Sequence, residues 1–290
     1  MLYLTLAVLC SVAVSVLLKV LRQRDIDIRQ TIVAGYPVAF LLTLFLLKPE
    51  VSAIDGLGGA WLIIIALGIL LPLVFMILGR AIEAVGMVAT DAAQRLSLII
   101  PIIAAFLLFG EVLTGTRIFG LLLGVLALGA LVYRPTQTMA NTHDNTTVSK
   151  HALYTPLWLF GVWIGYGTID ILFKQVAKQG AAFPLTLFVS FGLAGLLLFI
   201  YLLITRVRWQ GKALAAGLLL GALNMGNIYA YVRAHQVLSE SPSIVFTGMN
   251  VGVITVATLI GVGVFKEHLN RINMLGIVLA ISCVAVLFLA

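Results

Sequence analysis

The sequence predicts an all-α integral membrane protein of ten transmembrane helices, built as two inverted five-helix repeats. Three observations predict it. Of the 290 residues, 62% are hydrophobic and 10% charged, with a mean hydropathy of +1.14. A soluble domain has about 45–50% apolar and about 25% charged residues. The apolar residues fall in stretches of membrane-crossing length, roughly 17–25 residues. The chain also repeats itself. Phe109-Gly110-Glu111-Val112-Leu113, with Gly120 beyond it, returns as Phe265-Lys266-Glu267-His268-Leu269 with Gly276 beyond, a shift of 156 (265 less 109). In a membrane chain such a repeat marks transporters made of two halves.

On the length criterion, helices are expected near 2–21, 30–47, 58–79, 86–109 and 117–133, then near 155–176, 183–204, 213–232, 242–265 and 272–289. The first repeat spans 1–133, a polar linker 134–152 and the second repeat 153–290. The first segment lacks a basic leader and a small-residue cleavage site, so it reads as a retained helix. Leu17-Leu18-Lys19 lies over Leu172-Phe173-Lys174 at a shift of 155 (172 less 17). Repeats with an odd number of crossings face opposite ways. Lys19 and Lys174 therefore belong near opposite membrane faces, as do Glu111 and Glu267. The linker holds His143, Asp144 and, just after, His151, which read as solvated residues and not as a metal site.

The net charge of +7 comes without any basic run, so nucleic acid is not an expected partner; the lipid bilayer is. Lys and Arg gather at helix ends, and their bias places both termini outside. Cys10 and Cys283 read as small buried residues. No nucleophile elbow, zinc-protease motif, Walker loop or dinucleotide fingerprint occurs, and no histidine falls inside an expected helix core. Neither an enzyme nor a cofactor or metal is therefore expected. The Gly-xxx-Gly pairs at 120/124, 161/165, 217/221 and 248/252 read as close helix contacts within the bundle. Glu111 and Glu267 read as caps in short turns.

An ionised side chain at the bilayer centre costs on the order of 2.5–3.5 kcal/mol, so polar residues inside these helices need a partner or a wet cavity. The fourth helix carries Asp91, Gln94 and Arg95, with Asp91 and Arg95 spaced to pair at i,i+4. Pro101 removes the hydrogen bond that the Ser97 carbonyl would accept, which favours a bend. The sixth helix carries Trp163, Tyr166, Asp170 and Lys174 on one face, with Asp170 and Lys174 also spaced to pair. The eighth carries Asn224, Asn227 and Tyr231, and the ninth Asn250. Each group has a structural reading beside the functional one: an ion pair at a helix end, or polar glue between helices.

The halves disagree where these residues sit. Asp91 lies over Thr247, Arg95 over Val251, Asp170 over Ser15 and Asn227 over Val74. The expected substrate-binding set is Asp91, Gln94, Arg95, Trp163, Tyr166, Asp170, Asn224, Asn227 and Asn250. Carboxylate, guanidinium, amide and phenol together suit a small polar or zwitterionic solute, with Arg95 for a carboxylate and Asp91 or Asp170 for an amine. Either aspartate offers a site for protons as coupling ion. The competing readings are a proton-coupled exporter of lipophilic cations and a non-transporting membrane scaffold.

These residues resemble the drug/metabolite transporter superfamily, in its ten-helix branch of paired EamA-type repeats. The resemblance covers nearly the whole chain and is strongest at 81–133 and 234–289. It implies a secondary transporter of the bacterial cytoplasmic membrane working by alternating access, with efflux of a small-molecule metabolite, as a monomer or homodimer. It also implies cytoplasmic termini, opposite to the charge count. Lys19 and Lys174 match the family's lysine at the end of each first helix. The four-helix relatives carry a membrane-embedded carboxylate two turns earlier. Here those positions are Ser11 and Tyr166, so exchange through that carboxylate is not implied.

Overall fold

The computed structural model describes the backbone of residues 2–24, 26–52, 57–112, 114–132, 151–264 and 271–289. Among these residues there are helices and turns and no strand. The helices are α1 (Leu2–Gln23), α2 (Ile28–Leu42, continued by a π-helical turn Thr43–Leu47), α3 (Ala60–Leu96), α4 (Ile99–Leu107) and α5 (Gly115–Val132). They continue with α6 (His151–Lys178), α7 (Phe183–Ile204), α8 (Gly211–Val237), α9 (Pro242–Gly263) and α10 (Arg271–Leu289). Linker residues 134–150, Glu267 and the side chains of Lys19 and Asp91 lie outside the described residues, while residues 151–152, expected in the linker, begin α6.

Among the described residues, six segments are long and apolar enough to cross a membrane: Ile28–Leu47, Ala60–Ala81, Leu157–Lys178, Phe183–Ile204, Gly211–Val237 and Pro242–Gly263. Shorter apolar helical segments are Leu2–Leu18, Ala93–Leu107, Gly115–Ala130 and Met274–Cys283. Large apolar side chains such as Leu46, Leu62, Leu107 and Ile204 point outward from the bundle. Helices satisfy their own backbone, so such an apolar exterior suits lipid and not water. The chain is a helical membrane protein.

The junction of α3 and α4 departs from the sequence expectation. The sequence reading ends one helix near 79 and starts the next near 86. The structure instead holds one helical run to Leu96 and breaks at Ser97–Leu98. Pro101 accounts for the break. It has no N–H for the Ser97 carbonyl, which accepts from the Ile100 N–H instead, in a tighter turn (3.0 Å). The run to Leu96 is not straight. Leu71 and Arg95 line the same cavity, although a straight helix would hold them roughly 36 Å apart at 1.5 Å per residue. The run therefore bends between Leu71 and Arg95, the stretch that holds the turn expected between 79 and 86. What departs from the expectation is the helical backbone there and the added break at Ser97–Leu98.

The main packing partners are α1 with α8 and α9, α6 with α3, α4 and α8, α2 with α8, α7 with α3, α2 with α7, and α5 with α9 and α10. Glycine sets the closest of these approaches. A Cβ on Gly217 would stand 2.4 Å from Ala34 Cβ and 2.6 Å from the Thr31 carbonyl oxygen, and one on Gly221 2.4 Å from the Gly35 oxygen. The glycine pair of α8 thus seats α2 within the bundle. The start of the same seam is pinned by a reciprocal bond. The Gln210 N–H donates to Gln30 Oε1 (2.7 Å), and Gln30 Nε2 donates to the Arg208 carbonyl (2.8 Å).

Glu111 holds another seam. Its carboxylate accepts from the Ser243 backbone N–H (2.9 Å) and from the Ser243 hydroxyl, and it pairs with Arg117 (3.3 Å). Arg117 also donates to Ser241 Oγ (2.8 Å). Ser243 lies in the first turn of α9, so Glu111 caps that helix from the turn after α4. A carboxylate there bonds otherwise unpaired N–H groups and complements the helix dipole.

Candidate functional site

A cavity of about 160 Å³ lies within the bundle. Of the sequence-predicted set, Gln94, Arg95, Tyr166, Asp170, Asn224, Asn227 and Asn250 line it. They come from α3, α6, α8 and α9. Each polar stripe faces inward because its opposite helical face is apolar and turned to lipid or to neighbouring helices. Leu71, Val74, Phe75, Met249 and Val253 supply apolar wall.

Asp170 is the cavity's described carboxylate. Its Oδ1 accepts from the Tyr231 hydroxyl at 3.0 Å. Tyr231 packs edge-on against Phe173 with ring centroids 6.2 Å apart. That contact fixes the ring and hence the direction of its hydroxyl. The amide of Asn250 donates to the Phe246 carbonyl one turn back (3.1 Å), which leaves its carbonyl oxygen for other partners. Asn227 Oδ1 is buried and has no hydrogen-bond partner among the described residues. A buried acceptor left without a donor costs roughly 1–3 kcal/mol, and a ligand N–H or O–H in the cavity would relieve it.

Three expectations are corrected here. Trp163 does not line the cavity. Its indole N–H donates to the Leu96 carbonyl (3.0 Å), and its ring stacks on Phe160. The break at Ser97–Leu98 leaves that carbonyl free of an intrahelical partner, and the indole takes it. Asp170 does not pair with Lys174. The lysine, 1% exposed, turns along α6 away from the cavity and donates to the carbonyls of Ser239 (2.9 Å) and His235 (3.4 Å). Carbonyls at a helix C-terminus carry partial negative charge and attract a cation. Finally, a histidine does lie inside a helix: α8 runs on to Val237, and His235 is 1% exposed.

Ser11 and Tyr231 line the cavity without having been placed in the expected set. Both stand on the polar stripes already read from the sequence, Ser11 at i−4 from Ser15 and Tyr231 at i+4 from Asn227. Ser15 bonds back to the Ser11 carbonyl (3.0 Å) and satisfies itself within α1. A second, smaller void of about 30 Å³ adjoins, sharing Phe75 and Asn224 and reached by Tyr36, and it holds about one water molecule's worth of space.

No family model matches the chain. A protein of Haemophilus influenzae, described as uncharacterized, is 46% identical over 287 residues, covering 97% of this chain and 96% of that protein. A solved crystal structure of a protein superposes with a TM-score of 0.70 over 99% of this chain and 96% of the other, at 13% identity. At that identity the likeness is one of fold.

Proposed function

We propose that this chain, which belongs to one family with the Haemophilus influenzae protein, is a secondary active transporter that moves a small polar or zwitterionic metabolite by alternating access. One observation carries the reading. A cavity inside a membrane-embedded bundle gathers Arg95, Asp170 and several amides from helices of both halves of the chain. Charged groups inside a bilayer are expensive and mark substrate or ion pathways. A pure scaffold would gain nothing from gathering them around a void.

The size of the void favours a small solute. About 160 Å³ compares with the roughly 150 Å³ of an engineered cavity that takes benzene. Phe75, Tyr166, Phe173 and Tyr231 put aromatic rings on the wall, which suit a solute's ammonium group, and the volume favours a small ammonium over a bulky lipophilic cation. Arg95 suits a solute carboxylate, while Asp170 and the Asn227 oxygen suit an ammonium. An amino-acid-like molecule satisfies both ends.

The helix pairings support a two-fold, inverted arrangement of ten spans. Exchanging each helix of the first five with the one five places later turns α1–α8 into α6–α3, α1–α9 into α6–α4 and α2–α8 into α7–α3. It leaves α2–α7 and α5–α10 unchanged, whereas α5–α9 and α6–α8 have no counterpart of comparable extent. Two such halves can rock about a central site. We place the protein with the ten-helix drug/metabolite transporters, in a bacterial cytoplasmic membrane and working in efflux.

The test is counterflow in proteoliposomes, with pools of amino acids, sugars and nucleosides as labelled solutes. Saturable flux of one class, lost in Asp170→Asn and Arg95→Gln while both variants keep their melting temperature, is the expected result. Absence of saturable flux for every pool overturns the reading.

A further inference from the structure

We infer that His235 is a proton-binding group that unlocks one end of the bundle, the end where α8 passes into α9. The inference rests on the transport reading above, for which it names a coupling ion and the group that takes it.

The argument begins with a layer of side chains. Three helices each present a residue to the cavity and, one turn further toward the same end, a second residue that closes it. On α6 these are Asp170 and Lys174, on α8 Tyr231 and His235, and on α9 Asn250 and Phe246. Lys174, His235 and Phe246 are all buried. The His235 ring lies 4.8 Å from the Tyr231 ring and 4.7 Å from the Phe246 ring, centroid to centroid. Lys174 crosses from α6 to bond the His235 and Ser239 carbonyls, and its Nζ stands 5.9 Å from the Phe109 ring. Beyond this layer the Glu111 cap closes the start of α9.

Within so tight a seal the imidazole is out of place. Neither Nδ1 nor Nε2 has a hydrogen-bond partner among the described residues. A phenylalanine would fill the same space without leaving two buried polar atoms unmet. Its use lies in a second state, where the layer parts and water reaches the ring.

The surrounding charges say which proton state favours that parting. From α6, the Lys174 ammonium faces His235, and Asp170 is engaged by Tyr231. From the turn after α4, Glu111 is engaged by Ser243 and Arg117, and Lys178 lies over Phe109. On its own helix the neighbours are Tyr231 and Arg233, whose Nη1 bonds Gln236. Glu240 follows α8 beyond the layer. The sequence of α9 contains no charged residue. An imidazolium thus meets the Lys174 cation that crosses to it, while Glu111 and Asp170 Oδ1 are engaged by other groups and Glu240 lies beyond the layer, on the Lys174 side. Its protonation drives Lys174 off the His235 and Ser239 carbonyls, and the tie between α6 and the end of α8 is weakened to the Gln236–Ala177 and Tyr231–Asp170 bonds.

The test needs no substrate. A single cysteine at Met249, on the cavity wall, is placed in a Cys10→Ala/Cys283→Ala background and reconstituted in nanodiscs. Labelling by a water-soluble maleimide is measured against a Lys212→Cys reporter on the exposed start of α8, which corrects for thiol ionisation. Lowering the pH from about 8 to about 5.5, across the ordinary imidazole range, should raise the labelling ratio roughly tenfold. His235→Phe should make the ratio independent of pH, and His235→Asn serves if that variant does not fold. A flat ratio in the protein carrying His235, or an unchanged rise without it, overturns the inference. Saturable flux with a flat ratio removes the proton lock and leaves transport standing. A His235-dependent rise with no flux for any solute does the reverse.

Discussion

The phenolic hydroxyl of Tyr231, on α8, donates to Oδ1 of Asp170, on α6, at 3.0 Å. The bond joins two helices at the cavity wall and replaces the Asp170–Lys174 pair that spacing along α6 suggests. Tyr231→Phe removes the donor and keeps the ring. It should destabilise the protein by about 1–3 kcal/mol, the cost of a buried acceptor losing its donor. The same change in an Asp170→Ala background should cost less, because no acceptor is left there for the hydroxyl. Thermal unfolding of the two single variants and the double variant in detergent measures the coupling. Additive effects would mean that the bond contributes nothing.

The α2–α8 seam leads to a second expectation, with an internal control. A methyl on Gly217 meets the Thr31 carbonyl oxygen and Ala34 Cβ within 2.6 Å, so two helices must separate to admit it. Gly217→Ala should lower the melting temperature, at a cost of about 1–3 kcal/mol for overpacking. On α3, Gly79 has nothing within 4 Å of the equivalent position. Gly79→Ala should therefore stabilise, by about 0.5–1 kcal/mol, since it only removes backbone freedom from the unfolded chain. Opposite signs for the same chemical change would establish that contact, and not helix propensity, governs Gly217.

What the sequence made legible follows from the solvent. Lipid penalises every polar side chain, so the polar stripes of α6, α8 and α9 could only point inward, and Asp170, Asn224, Asn227 and Asn250 meet at one cavity for that reason. Partners were not legible where they are backbone atoms. Trp163 takes a carbonyl exposed by the break at Ser97–Leu98, and Lys174 takes carbonyls at the end of another helix. Neither leaves a trace in residue spacing. The end of α8 was also missed: the expected helix stops near 232, short of Arg233 and His235, where α8 runs to Val237. In the folded bundle Arg233 lies over the Tyr3 ring, 5.6 Å from its centroid, and the helix continues beneath it. The α3–α4 junction was hidden for a related reason. The residues between Ala81 and Leu96 form helix readily, and the break is set by a proline that follows it.

Glu111 gives a prediction about the repeated motif. It lies on the Phe-x-Glu-x-Leu signature, and its side chain is fully buried while bonded to the first turn of α9 and to Arg117. Glu111→Ala leaves the Ser243 N–H unmet and a largely buried guanidinium without its carboxylate. A loss of about 3 kcal/mol or more is expected, in the range for breaking a buried pair from one side. Glu111→Gln keeps an acceptor for the N–H and should lose less. Denaturant midpoints of the two variants give the order. Equal losses would assign the whole effect to charge and none to the cap.

Asp27 gives a pH dependence at the opposite end of α8. Its carboxylate accepts from the Arg29 backbone N–H (2.9 Å) and pairs with the Arg29 guanidinium (3.0 Å), and Gln30 donates to it as well. Partial burial pushes its pKa up. The bonds and charge of Arg29, with Gln30, outweigh burial and hold it below the ordinary carboxylate value. A group whose folded pKa is depressed stabilises the fold above its unfolded pKa of about 3.9. That stability is lost as the pH falls through the folded value. The effect is small, because Arg29 is more than half exposed and solvent screens the pair. Asp27→Asn should therefore melt slightly below the unsubstituted protein at pH 7, and the gap should close on acidification below about pH 4. Asparagine can still accept the capping bond, so the closing gap reports the charge alone. A gap that stays constant down to about pH 3 would show that the ionisation of Asp27 and its pairing with Arg29 contribute nothing to it.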